Sequence, residues 1–500
     1  MPIPDTVLAV ERPTNTVVIV YGKNKDLYAV RQRIGCRNVN GRHIPVNGPT
    51  IGHIIDGVYV PIGKAGSLSS VSGLPVDLKD WANVALCNRL FEEIYAELLK
   101  VYNEQDALKL SCIAILRVCE PGIKDYELKE AYGDGFLSEL HPGVALSKNT
   151  VSKFLNGLGK ASSHIRKFMK NRADAVRMDH HLLVDGTLKS DESKVNSLSD
   201  FSYKAKTKGT RDISVVYAFD LESMEPVCSM AFPGNMLDIT AYESFIRENG
   251  IHKGIIVAEQ GFPSAAAEQG FRDDPDLHSL NPVKRNSKLA ERHNLLDFNA
   301  ILPGYDEITC RKEKCVGSDK WLYSFRDFHT AAKEEQDWLK RAKKDGTYDL
   351  QELRRRQRTF GTVVLECDLD IPSEVVYKAY SERWKIETVM RYYKSACEFD
   401  ETRVQDDYSV IGSEFIDFLS TLLTFRLLNE FEKYNLLNTM TYKRIMSILQ
   451  RAKKFRTENG NWQLIKINPS YEVMLQTLGL LPKPEEPPKK KRGRPRKVRV

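Results

Sequence analysis

One stretch, from residue 179 to residue 262, constrains the fold more than any other. HLLVD at 181–185 is a short apolar run ending in an acid. ISVVYAFD at 213–220 and PVCSMAF at 226–232 are two further apolar runs. Residues 238–248 suit a helix, and GIIVAEQGF at 254–262 holds a fourth apolar run followed by Glu259. Runs of this length, apolar on both alternating faces, are strands buried inside an α/β sheet. The order is β-β-β-α-β, and it predicts an α/β fold built on a mixed sheet. Asp185 and Glu259 are expected at the ends of the first and last of these strands, with Asp220, ending the second strand, and Asp238, starting the helix, as fallback acids.

The chain of 500 residues is too long for one hydrophobic core, and several domains are expected. Residues 1–75 mix β-like runs with Gly, Asn and Pro and form a small N-terminal β-containing region. Residues 76–178 are helical. The core occupies 179–267 and resumes at 373–430, with a β-containing insertion at 268–372 between the two parts. Helices follow at 431–481, and 482–500 is a disordered basic tail. Nine scattered cysteines are expected to be reduced thiols. No run approaches ~18 apolar residues, so no membrane partner is expected. The N-terminus does not read as a signal peptide, and a cytoplasmic location is expected.

Within the helical region, LSKNTVSKFLNGLGK at 146–160 has the form of the second half of a helix-turn-helix. Ser147 or Asn149 would cap it, with Val151, Phe154 and Leu155 inward. Lys148, Ser152, Lys153 and Asn156 would then be free for a DNA groove. A plain amphipathic helix is the other reading.

A long helix is predicted from Ser373 to Glu398. At about 100° per residue, Tyr380, Arg383, Glu387, Arg391 and Lys394 fall within roughly 80° of arc. Val375, Ala379, Ile386, Val389, Tyr393 and Cys397 fall on the other side. One carboxylate thus stands among cations on a single face. Periodicity alone equally describes a solvated face laced by i to i+4 ion pairs.

The residue types add what periodicity does not. Tyr380, Arg383, Glu387 and Lys394 spell Y-x2-R-x3-E-x6-K within YSERWKIE and its continuation, and PGNMLD stands at 233–238. These motifs resemble those of insertion-sequence transposases of the YREK-signature branch, the insertion sequence four superfamily. The resemblance covers about residues 179–429. It implies a ribonuclease-H-like core of the DDE type, cleaving transposon ends and joining them to target DNA, by cut and paste. It implies two divalent cations, Mg²⁺ or Mn²⁺, about 4 Å apart. Such hard ions require carboxylate oxygens, and the resemblance assigns them to Asp185, Glu259 and Glu387. Tyr380, Arg383, Arg391 and Lys394 would hold the DNA backbone. A homodimer on paired inverted-repeat ends, in a prokaryotic nucleoid, is likewise implied. An aromatic of the insertion, Trp321 or Trp338, would either hold a flipped base or simply pack.

This sequence departs from the pattern at one place. Members carry Asp-Arg-Gly-Phe or similar after the fourth apolar strand, where this chain has Glu259-Gln260-Gly261-Phe262. A Glu binds the same ions, but its extra methylene shifts the carboxylate by more than about 1 Å, and active geometry tolerates such shifts poorly. A catalytically impaired relative and a non-enzymatic DNA-binding protein are therefore the alternatives to an active enzyme.

The tail from Pro482 holds nine Lys or Arg and two Glu, so of 74 basic and 67 acidic residues 65 of each remain elsewhere. The whole net charge of +7 resides in that tail. Arg492, Gly493, Arg494 and Pro495 form an Arg-Gly-Arg-Pro core that resembles an AT-hook, a segment suited to a narrow A·T minor groove. A generic polybasic tail is the other reading.

Overall fold

The computed structural model describes residues 3–21, 27–39, 42–55, 57–61, 68–69, 75–191, 193–202, 209–236, 238–257, 274–383, 401–402 and 404–483. The chain divides into two compact units, Met1–Leu78 with Phe455–Gln463, and Lys79–Lys454 with Leu464–Val500. The first contains an antiparallel meander, β1 (Thr16–Tyr21), β2 (Leu27–Val39), β3 (Arg42–Ile55) and β4 (Val58–Pro61). Val18, Val30 and Ile54 form its small core.

The second unit begins with helices α1 (Ala82–Leu99) and α2 (Glu104–Cys119). Val84, Cys87, Phe91, Ile94 and Leu98 of α1 are buried, as their 3.6-residue spacing predicts. Asn103 caps α2, its side chain accepting from the Asp106 amide at 2.9 Å. Helices α3 (Lys148–Lys160) and α4 (Ser162–Ala175) lead into the sheet.

Five strands form the centre of that sheet: β5 (His181–Ser190), β6 (Arg211–Asp220), β7 (Glu225–Pro233), β8 (Gly254–Val257) and β9 (Leu277–Val283). Helix α5 (Asp238–Asn249) lies between β7 and β8 in the chain. The spatial order is β7-β6-β5-β8-β9. Strand β6 is antiparallel to both neighbours, while β5, β8 and β9 run parallel. This is a mixed α/β sheet with ribonuclease-H-like topology, as expected.

Of the strands that fall in the expected insertion at 268–372, β9 is already one of these five, and the others extend the same sheet. They are β10 (Ala300–Ile301), β11 (Ile308–Lys314), β12 (Trp321–Asp327) and β13 (Thr362–Cys367), with β13 antiparallel to β9 and the order continuing β13-β12-β11-β10. Between β12 and β13, where the sequence of residues 331–358 reads as one very polar helical stretch, lie α6 (Phe328–Asp345) and α7 (Leu350–Gln357). It is two helices because Gly346 ends the first at φ +67°.

The longest helix described, α8 (Asp407–Lys433), carries Phe415, Phe418, Leu419, Leu422 and Phe425 into the core. Each such burial contributes about 1.5–3 kcal/mol. The acid and the cation that interrupt its apolar run are both engaged, Asp417 with Arg117 and Lys189, and Arg426 with Glu225 and Glu93. The stretch after α8, where helices are expected to dominate, includes two short strands at Lys453–Arg456 and Trp462–Leu464.

Helices α3 and α8 approach to backbone contact. A Cβ on Gly159 would lie 1.9 Å from the Tyr408 carbonyl oxygen, and one on Gly412 would lie 2.1 Å from that of Leu155. Neither carbonyl is free to rotate away, so Gly159→Ala is expected to push the helices apart and cost on the order of 1–3 kcal/mol. Gly157 has nothing within 4 Å of its would-be Cβ. There Ala should be neutral or stabilising by about 0.5–1 kcal/mol. Thermal melts of the two variants check this; equal midpoints would refute the close-packed crossing.

Candidate active site

Strand β5 sits between antiparallel β6 and parallel β8. Leu182, Leu183 and Val184 are buried, Asp185 is half-buried and Gly186 exposed. The strand does not end at Asp185, as its apolar run suggested, but continues to Ser190. Strand β6 is equally long and pairs with it throughout, from Asp220 opposite Leu182 to Asp212 opposite Ser190. Asp185 lies opposite Tyr217. Paired residues in antiparallel strands share a face, and the Tyr217 ring stacks with Phe418 of α8 at 6.4 Å. Asp185 is therefore on the sheet face that α8 covers. On the other side of β5, Val257 of β8 pairs with Leu183, two residues short of Asp185.

Two alternations beyond Asp185, on the same face, Lys189 is buried. Its ammonium donates to Glu414 at 2.9 Å and to Asp417 at 2.8 Å. Arg117 of α2 donates to Asp417 at 2.7 Å and to Asp125 at 3.2 Å. Burial alone would lower the Lys189 pKa, but Asp417 and Glu414 overturn that and hold it above the ordinary lysine value. Burial pushes the Glu414 carboxyl up despite Lys189, and Asp417 adds to that rise. Both directions fit three carboxylates sharing two cations. Sequence reasoning missed this network, which ties β5 to α8 and α2. The available signal was Glu414 and Asp417, one helical turn apart in a run otherwise apolar.

The signature helix is described through residue 383. Val376 and Ala379 are buried, with Tyr377 and Tyr380 packed against the same core. Val375, expected inside, is 38 % exposed. The buried stripe is turned by one residue because the tyrosine rings supply apolar area to the core in place of Val375. The Arg383 guanidinium lies 5.4 Å from the Tyr380 ring centroid, so these two do share a face. Glu387, Arg391 and Lys394, together with Glu259 and the Arg492, Gly493, Arg494 and Pro495 segment, lie outside the described residues.

Helix α3 is capped by Ser147, which accepts from the Thr150 amide at 3.4 Å. Lys148, Ser152 and Lys153 are exposed. Asn156, expected to be free, donates to Asp406 at 2.8 Å and so is tied to the N-terminus of α8. Trp321 and Trp338 are both partly buried; Trp321 packs against the main core and Trp338 against Ala331, Leu353 and Phe360.

Among the described residues, His180, Asp220 and Glu222 bring three possible metal-ligand atoms within 4.8 Å of one another. This group is at the other end of β5. Four residues separate His181 from Asp185, about 13 Å along a strand. Its members already have partners: His180 Nδ1 is 2.9 Å from Asp220, and Glu222 is 2.7 Å from Nδ1 of the neighbouring His181. Asp220 also accepts from the Glu222 amide at 3.0 Å and the Ser223 hydroxyl at 2.9 Å. Asp220 therefore closes a turn, away from Asp185.

Residues 177–409 match the family model described as a transposase DDE domain. No curated protein matches. A solved structure, the cryo-EM structure of the piggyBac transposase synaptic complex with hairpin DNA, is similar at 13% identity and a TM-score of 0.36. That similarity covers 74% of this chain and 79% of the other. The domain match supports a transposase enzyme of the DDE class, a class that uses divalent metal ions, and spans both Asp185 and the signature helix. No described helix is long and apolar enough to cross a membrane.

Proposed function

We propose that this chain is an active DDE transposase that cleaves the inverted-repeat ends of its own element and joins them to target DNA by cut and paste. The observation that carries the reading is the half-buried Asp185, held on the central strand of a ribonuclease-H-like sheet inside the segment that matches a transposase DDE domain. Asp185, Glu259 and Glu387 are the proposed cation ligands. The register favours Glu259 over Asp220: Val257 pairs with Leu183, and Glu259 and Asp185 are each two residues further on.

The donor set is three carboxylates, which suits two hard ions such as Mg²⁺ or Mn²⁺. When bound, the ions lower the pKa of the attacking water or 3′ hydroxyl and stabilise the leaving oxygen. The protein's own share is positioning. The buried Lys189 network fixes β5 and so the carboxylate of Asp185. Tyr380, Arg383, Arg391 and Lys394 hold the DNA backbone on one helical face, so that the scissile bond is presented in line. The exposed cations of α3 add contacts to the ends. The tail supplies non-specific affinity and, as an AT-hook, a preference for A·T-rich duplex. We place the enzyme in a prokaryotic cytoplasm, working as a homodimer on paired ends.

The test is cleavage of a duplex carrying the inverted repeats that flank the coding DNA. Mg²⁺ should give nicks at the repeat boundary, and chelation or Asp185→Asn should abolish them. End-specific binding without cleavage would mean an impaired relative, and binding without end preference a non-enzymatic DNA-binding protein; either overturns the proposal.

A further inference from the structure

A second charged feature lies away from Asp185. Strand β12, from which α6 departs, is four strands from β5 in the sheet, about 19 Å at ordinary strand spacing. Beside α6 and α7 opens a cleft of about 1050 Å³. Six cations line it: Lys284 and Arg285 from the segment after β9, Arg341 from α6, Arg355 and Arg356 from α7, and Arg358 just beyond.

Among the described residues, three acids line the same cleft, Glu291, Asp297 and Glu334. Glu334 is committed to Arg285 at 2.9 Å, and Arg285 is fixed further by donating to the Thr359 carbonyl at 2.6 Å. Asp297 lies 3.4 Å from Arg358 across an exposed surface. Glu352, outside the lining, is shared by Arg355 at 2.9 Å and Arg356 at 2.6 Å. Lys284 and Arg341 have no acidic partner among the described residues. Exposed pairs of this kind are worth at most about 1 kcal/mol and exchange readily for a better anion. Trp338 and Phe360 also line the cleft, both packed into the small core with Ala331 and Leu353.

We infer that this cleft binds the phosphodiester backbone of DNA, as a sequence-independent anchor separate from the cleavage site. Five of the six cations are arginines, whose planar fork pairs with phosphate in bidentate fashion. They are spread over four segments along an open cleft, which suits a row of phosphates rather than one small anion. Phe360 is buried and Trp338 half-buried, so the cleft offers little apolar surface to anchor a protein partner, and an acidic protein is the poorer fit. The inference rests on the reading of the chain as one that acts on DNA.

The experiment measures binding of the full chain to a 30-base-pair duplex of random sequence, about three helical turns, across a salt series. The triple variant Arg341→Gln, Arg355→Gln, Arg356→Gln should lower the slope of log affinity against log salt by about 2–3, close to 0.9 for each phosphate no longer neutralised. Lysine at the same three positions should restore it. An unchanged slope overturns the proposal. So does a fall in affinity for poly-glutamate with duplex affinity intact. If the triple variant does not fold, Arg341→Gln alone is read, with a slope change of about 0.9 expected and none overturning. A reduced slope in a chain that never cleaves its ends keeps this site and removes the proposed activity; an unchanged slope in a chain that cleaves does the reverse.

Discussion

Replacing Lys189 by methionine is expected to cost about 3–5 kcal/mol of folding stability, the usual consequence of removing one partner from a buried ionic group. Its side chain is 2 % exposed and faces Glu414 and Asp417, which are 7 % and 8 % exposed. Methionine fills most of the volume, so the loss is electrostatic and not a cavity effect. Asp417 keeps Arg117 at 2.7 Å, whereas Glu414 makes its direct ion pair with Lys189 and feels Arg117 only at longer range. Adding Glu414→Leu to Lys189→Met should therefore recover a large part of the loss, because the carboxylate left without its cation is the one removed. Chemical denaturation of the wild type, the single and the double variant checks both steps. A cost below about 1 kcal/mol for the single variant, or a double variant no more stable than the single, would mean that the network is hydrated and does not tie β5 to α8.

What the sequence disclosed about this region follows from how local each signal is. The runs at 181–185, 213–220 and 226–232 announce strands because apolar patterning is a property of neighbouring residues, and all three are strands. The length of β5 was not legible. Thr187 and Lys189 interrupt the apolar run, and lysine becomes a buried strand residue only through acids more than 220 positions later. In α8 the same partnership hid in the opposite sense, since Asp417 looked like an interruption of an apolar helix and is instead its link to Lys189 and Arg117. Gly159 and Gly412 are ordinary residues within their own helices, and their role depends on a crossing between elements about 250 residues apart. On the signature helix, counting 100° per residue put Tyr380 and Arg383 on one face, where they lie. The same count placed Val375 inside with the apolar set and Tyr380 on the polar face, whereas Val375 is 38 % exposed and Tyr380 packs against the core. The basic cleft was equally illegible: 331–358 reads as polar helix, and the opposing cations Lys284 and Arg285 come from the segment after β9.

The carboxylates themselves yield the sharpest expectation. Glu387→Gln keeps shape and loses the charge that would hold a cation. Cleavage should fall by more than the roughly 10–100-fold that loss of an outer-shell partner gives, while binding to the ends survives on Tyr380, Arg383, Arg391, Lys394 and the exposed face of α3. Loss of binding together with cleavage would assign Glu387 to the helix rather than to the chemistry. Glu259 separates charge from geometry. Glu259→Gln should match Glu387→Gln, since both remove a negative charge from the same proposed set. Glu259→Asp keeps the charge and withdraws the oxygens by more than about 1 Å, a displacement that costs on the order of 100-fold where the surrounding positions are set for the longer side chain. If β8 and the residues after it are set for glutamate, Asp should therefore impair cleavage; if they are set as in relatives that carry Asp there, it should raise cleavage. Either change makes Glu259 part of the site. Wild-type rates in both Glu259 variants would remove it and return the second ligand position to the remaining acids, Asp238 first, because Asp220 is already spent on His180 and Ser223.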